Sequence, residues 1–195
     1  MRALALLVVL TSVAHAQAPG EVVASERGGA TVMTRRWAID LSLGGQSLTA
    51  KHTGAQAVGF GGLELAARFR IRPAIEVALA FEGAGNQGIS TAGFFAEFRY
   101  RFMAERPWTP FALAGVGVAT AADKTGTDTE KKGRGALRIG GGIERRFGAW
   151  GLEATLRLVG IGENKQVMDV TTRGQELARY SASGAELVVG GTFYF

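Results

Sequence analysis

Apolar and polar side chains alternate at a period of two through eight runs of the chain, about 36 to 47, 59 to 71, 74 to 83, 91 to 102, 108 to 119, 135 to 147, 150 to 159 and 182 to 195. Successive side chains of a strand point to opposite faces, so this period predicts eight strands, each with one apolar and one polar face. The apolar face starts with Trp37, Ile39, Leu41 and Leu43 and ends with Leu187, Val189, Phe193 and Phe195. The polar face carries Asp40, Glu64, Arg68, Arg70, Glu76, Glu82, Glu97, Arg99, Arg101, Arg138, Glu144, Arg146, Glu153, Arg157 and Glu186. The connections at Arg72-Pro73, 103 to 107 and Gly148-Ala149 read as short turns, and 48 to 58, 84 to 90, 120 to 134 and 160 to 181 as longer loops. In the fifth run Phe111 and Leu113 have one parity while Val116 and Val118 have the other, which predicts a bulge at Gly115.

Period alone does not say which face points outward, because a water-soluble barrel with an apolar cavity has the same alternation. The aromatic residues choose. Trp37, Trp108 and Trp150 begin the first, fifth and seventh runs, and Tyr100, Phe102, Phe147, Phe193 and Phe195 lie at the ends of even-numbered ones. Up-and-down topology puts all eight on one rim, where they form an aromatic girdle suited to a membrane interface. Most runs also reach the roughly 9 to 11 residues that a tilted strand needs to cross hydrocarbon. The predicted fold is therefore an eight-stranded antiparallel up-and-down transmembrane β-barrel with short periplasmic turns and longer extracellular loops. Closure removes the sheet edges that lipid could not satisfy. Arg145 has lipid-facing parity, but lies near the periplasmic end, where a charge costs roughly 0 to 1 kcal/mol.

The amino-terminal segment fits an exported protein. After Arg2, the stretch Ala3 to Val13 is almost wholly apolar and Ala14-His15-Ala16 is a small-x-small cleavage site, so residues 1 to 16 read as a signal peptide. Its removal lowers the net charge from +5 to +4. Residues 17 to 35 lack a sustained period and read as a flexible periplasmic segment, leaving 36 to 195 as the barrel. The sequence contains no cysteine, which excludes disulfides and thiolate metal sites.

Leu187, Val189, Phe193 and the terminal Phe195 resemble the carboxy-terminal signature of bacterial outer-membrane barrels. Over residues 36 to 195 the chain resembles the small OmpA/OmpX-type barrels. That resemblance implies a bacterial outer-membrane location, recognition of the last strand by the outer-membrane assembly machinery, and a structural, adhesive or surface-interaction role.

The fifteen charges on the polar face then lie in a narrow lumen, which eight strands fill with side chains and no continuous water column. They are expected to pair with one another as a Glu/Arg network that plugs the barrel. Arginine suits this because its planar fork grips carboxylates. The five lysines, Lys51, Lys124, Lys131, Lys132 and Lys165, all fall in predicted loops, where lipopolysaccharide phosphates are a candidate partner. His52 lies near Ser47, Thr49 and Thr53. Some small outer-membrane barrels use histidine with serine and a carboxylate on lipid A, but no carboxylate lies nearby, and we read His52 as an ordinary loop residue. The acids in 123 to 132 do not follow a calcium loop and are interleaved with lysines. Gly140-Gly141-Gly142 and Gly190-Gly191 lack the strand-to-helix setting of a phosphate loop. The expected function is non-enzymatic, without cofactor, metal or nucleic-acid partner, in contact with outer-membrane lipid. A small-solute transporter or narrow channel is the alternative, and a lipid A-modifying enzyme comes third.

Overall fold

The computed structural model describes residues 35–51, 55–86, 88–123, 133–164 and 173–195. Eight strands follow one another in chain order: β1 (Trp37–Ala50), β2 (Val58–Arg72), β3 (Ile75–Asn86), β4 (Ile89–Arg101), β5 (Trp108–Asp123), β6 (Arg134–Phe147), β7 (Trp150–Ile161) and β8 (Ala182–Tyr194). Each pairs antiparallel with its neighbours and β8 returns to β1, so the sheet closes into an eight-stranded barrel. A short helix, α1 (Arg173–Arg179), precedes β8.

Polarity is inverted relative to a water-soluble protein. Leu41, Leu65 and Leu152 are 59%, 53% and 58% exposed, whereas Asp40, Glu144 and Arg157 are 0% exposed. The apolar faces form a continuous outer belt and the charges point into the lumen. At one rim, Trp37 packs on Phe69, Trp150 on Phe193 and Tyr100 on Phe102, with ring centroids 4.7, 4.7 and 5.1 Å apart. The Arg145 guanidinium lies over the rings of Trp108 and Phe147, 5.0 and 4.8 Å from their centroids.

Four features depart from the sequence expectation. The β4–β5 and β5–β6 registers run unbroken through Gly115, so no bulge exists there. Phe111 and Leu113 face the lumen and Val116 and Val118 face outward on one regular strand. The irregularity lies instead between Arg70 and Arg72, beside the β2–β3 turn. The connection read over 84 to 90 is short, since β3 runs to Asn86 and β4 starts at Ile89. Gly88, with φ of 89°, takes the left-handed conformation that such a tight turn needs. The segment read as loop over 160 to 181 contains α1.

The fourth difference is strand length. Seven of the eight strands continue one to four residues past the outer ends read from the pattern, because the alternation reverses there. On β1, Leu48 and Ala50 turn inward while Ser47 faces out. On β7, Val159 and Ile161 turn inward, and on β2, Val58 and Phe60 do the same. A 14-residue strand such as β1 is about 46 Å long at about 3.3 Å per residue, or about 35 Å of height at a tilt of about 40°. An apolar outer band about 25 Å tall leaves about 10 Å of barrel beyond it. That outer tier has an ordinary apolar interior.

Candidate functional site

The barrel interior is built in two tiers. In the first, the structure places all fifteen charged residues singled out in the sequence on inward positions of every strand except β5. At the girdled end, Arg70 Nη2 lies 2.7 Å from Glu76 Oε1 and Arg101 Nη2 2.5 Å from Glu76 Oε2. Arg101 also pairs with Glu144, which accepts from the Tyr194 hydroxyl and lies 3.3 Å from Arg146 Nε. Further in, Arg68 Nη2 bridges Asp40 at 3.0 Å and Glu153 at 2.8 Å, and Arg99 Nη1 reaches Glu153 at 3.1 Å. Ser42 and Thr192 donate hydroxyl hydrogen bonds to the two oxygens of Asp40, at 2.6 and 2.9 Å.

Towards the outer end, Arg157 forks onto Glu64 with Nη1 and Nη2 at 2.6 and 2.7 Å from its two oxygens, and touches Glu186 at 3.4 Å. Arg138 reaches Glu64 and Glu82 at 3.0 Å each and Glu97 at 2.5 Å. Arg99 Nε closes the chain on Glu97 at 3.4 Å. Glu64, Glu82 and Glu186 bring carboxylate oxygens within 4.8 Å of one another beside a cavity of about 20 Å³ that Gln46 also lines. Arg138 and Arg157 stand against those three acids. A guanidinium shared between two carboxylates recurs throughout, and this sharing makes burial of so many charges tolerable.

β5, which carries none of the fifteen, has its own part. Phe111 of β5 lies under Arg99, with the guanidinium carbon 4.9 Å from the ring centroid, and Phe95 of β4 lies under Arg138 at 4.1 Å. These are cation–π contacts in a desolvated setting. Phe95 sits at the junction of the two tiers. Beyond it, Leu48, Val58, Phe60, Val159 and Ile161 form an apolar cluster that Leu177 and Ala178 of α1 complete. The helix packs against β5 and β1. Arg134 Nη1 donates to the carbonyls of Gly162 and Tyr180 at 3.2 and 3.0 Å, Asn164 N to Arg179 O at 2.7 Å, and Lys51 N to Ser181 O at 2.7 Å.

Several interior residues were not singled out from the sequence. Tyr194, Thr192 and Ser42 share the inward parity of the charged positions, and counting by two from Glu186 reaches Tyr194. Leu177 carried no strand period and no such signal. His52, Thr53, Lys124, Lys131, Lys132 and Lys165, together with the proposed signal peptide and residues 17 to 34, lie outside the described residues. Ser47 faces outward on β1 and Thr49 is half-buried near its end.

No family model matches the chain, and no curated protein matches it. Solved structures do. Neisserial surface protein A aligns with 82% of this chain and 97% of its own at 15% identity, with a TM-score of 0.63. The N-terminal β-barrel domain of Pseudomonas aeruginosa OprF aligns with 80% and 97% at 15% identity and a TM-score of 0.50. Pseudomonas aeruginosa OprG gives 83% and 97% at 12% identity and 0.50. Identities this low speak to architecture and not to activity. With its closure, strand count, inverted polarity and aromatic rim, the chain has the fold of the small eight-stranded outer-membrane β-barrels.

Proposed function

We propose that this protein resides in the bacterial outer membrane as a closed, non-conducting barrel with a structural or surface-interaction role. The observation that carries this reading is the filled interior. A Glu/Arg network spans the lumen from Arg70 to Arg157, and an apolar tier sealed by α1 lies above it. Eight strands enclose just enough space for side chains, and an open aqueous channel generally takes sixteen or more. Outer-membrane lipid meets the apolar belt, β8 ending in Phe195 is the element offered to the assembly machinery, and the outer rim with Lys51 is the surface offered to lipopolysaccharide.

Planar-bilayer recordings of the refolded protein test the closed state, with no stable conductance of porin size as the expected result. A large, steady open level would sink it and favour a narrow channel. The reading also excludes turnover of outer-leaflet lipid. Mass analysis of lipid A from cells with and without the protein is expected to give the same species, and a change in acylation would overturn that part.

A further inference from the structure

The ionic tier by itself blocks the barrel, which leaves the apolar tier above it without a sealing duty. Its lining differs in kind from everything below: Leu48, Val58, Phe60, Phe95, Val159 and Ile161 present no charge to the space that Leu177 and Ala178 fill. The cover is also of a different kind from the walls. The walls are strands locked on both sides by ladder hydrogen bonds. The cover is one seven-residue helix that buries Leu177 and Ala178 against the tier and meets the rim through bonds that include those of Arg134, Asn164 and Lys51. A segment with few buried apolar contacts belongs to the low-stability end of a structure, where lids are found.

We propose that the outer tier is an apolar cup for a small, uncharged, hydrocarbon-like molecule, with α1 as its removable stopper and the ionic tier as its closed floor. Withdrawal of Leu177 and Ala178 leaves a space walled by aliphatic and aromatic side chains. Such a space stays dry and takes up small apolar molecules. Charged ligands are disfavoured by the same walls, since Arg134 is held by the carbonyls of Gly162 and Tyr180 and Arg138 lies against Phe95 with its carboxylate partners already in place. The cup opens only at its outer end, so binding and conduction are separate properties. This inference rests on the membrane orientation proposed above for which end faces outward, and its test separates the two.

The probe is a short alkyl diazirine, photolysed with the refolded full chain in lipid nanodiscs, and its adducts are mapped by mass spectrometry. Adducts on Leu41, Leu65 and Leu152 report lipid contact of the outer belt. Adducts on Leu48, Phe60, Val159 and Ile161 report occupancy of the cup. Arg134→Ala and Leu177→Ser are expected to raise amide exchange across 173–182 and to increase cup adducts several-fold over wild type, with belt adducts unchanged. Because the sequence has no cysteine, the pair Asn164→Cys and Arg179→Cys can tie α1 down specifically; oxidation is expected to bring cup adducts to background and reduction to restore them. Belt adducts without any gain in the cup, once exchange shows α1 released, overturn the cup and leave the membrane reading intact. Unchanged exchange in both variants overturns the role given to α1. Missing belt adducts overturn the membrane reading and with it the orientation of the cup.

Discussion

Glu153 shows what a single residue carries in this interior. Its carboxylate lies against both Arg68 and Arg99, and all three side chains are almost completely removed from solvent. Replacing it by alanine takes one buried carboxylate from both guanidinium groups and leaves Arg68 only Asp40 and Arg99 only Glu97 among their ion-pair partners, and breaking a buried pair costs on the order of 3 to 5 kcal/mol. Glu153→Ala is therefore expected to lower the unfolding free energy obtained from urea titration in lipid by an amount of that order, and a loss below about 1 kcal/mol would mean that water reaches the site. The arginines are legible from parity alone, since a charge on the face opposite Leu152 or Leu65 has nowhere to go but inward. Their partners are not. Arg68 and Glu153 are 85 positions apart, and only closure of the barrel brings them within 2.8 Å.

At the level of the strand, close packing across the ladder sets which positions tolerate a side chain. A Cβ on Gly184 would run into the carbonyl oxygen of Ser47 on the neighbouring β1, whereas one on Gly61 would meet nothing within 4 Å. Gly184→Ala is expected to cost about 1 to 3 kcal/mol by overpacking, while Gly61→Ala leaves the unfolding midpoint unchanged; equal effects would contradict the β1–β8 register. The strands themselves were readable wherever the outward face was apolar. They were read short at the outer ends because the pattern reverses at Leu48, Val58 and Val159, and a reversed pattern looks like the end of a strand. The fifth strand misled for a related reason. Phe111 is apolar but inward with the Arg99 guanidinium over its ring, and Leu113 is buried opposite Arg99 in the β4–β5 register.

Across the whole molecule, apolar residues cover the outside on every strand, from Trp37 to Phe195. A belt of this extent far exceeds the few hundred Å² of contiguous apolar patch that a monomer carries in water. The protein is expected to stay monodisperse in detergent and to aggregate when detergent is withdrawn. A monomeric species without detergent would contradict the outward assignment of that belt. The ionic interior responds differently to solvent. Screening acts on exposed charges and barely on buried ones, so the network itself is not expected to loosen in high salt.

The one-dimensional pattern determined the number of strands, the face each turns outward, the rim that carries the aromatics and the set of charges inside. These follow from local rules, because a strand's two faces and a bilayer's two environments are matched residue by residue. Tertiary structure decided the rest. Which arginine meets which carboxylate depends on the register of strands far apart in sequence, and the apolar outer tier exists only because strands extend beyond the belt and enclose one another. The place of Leu177 was set in the same way, since a seven-residue helix has too few residues to announce itself and acquires its position from the cup that receives it.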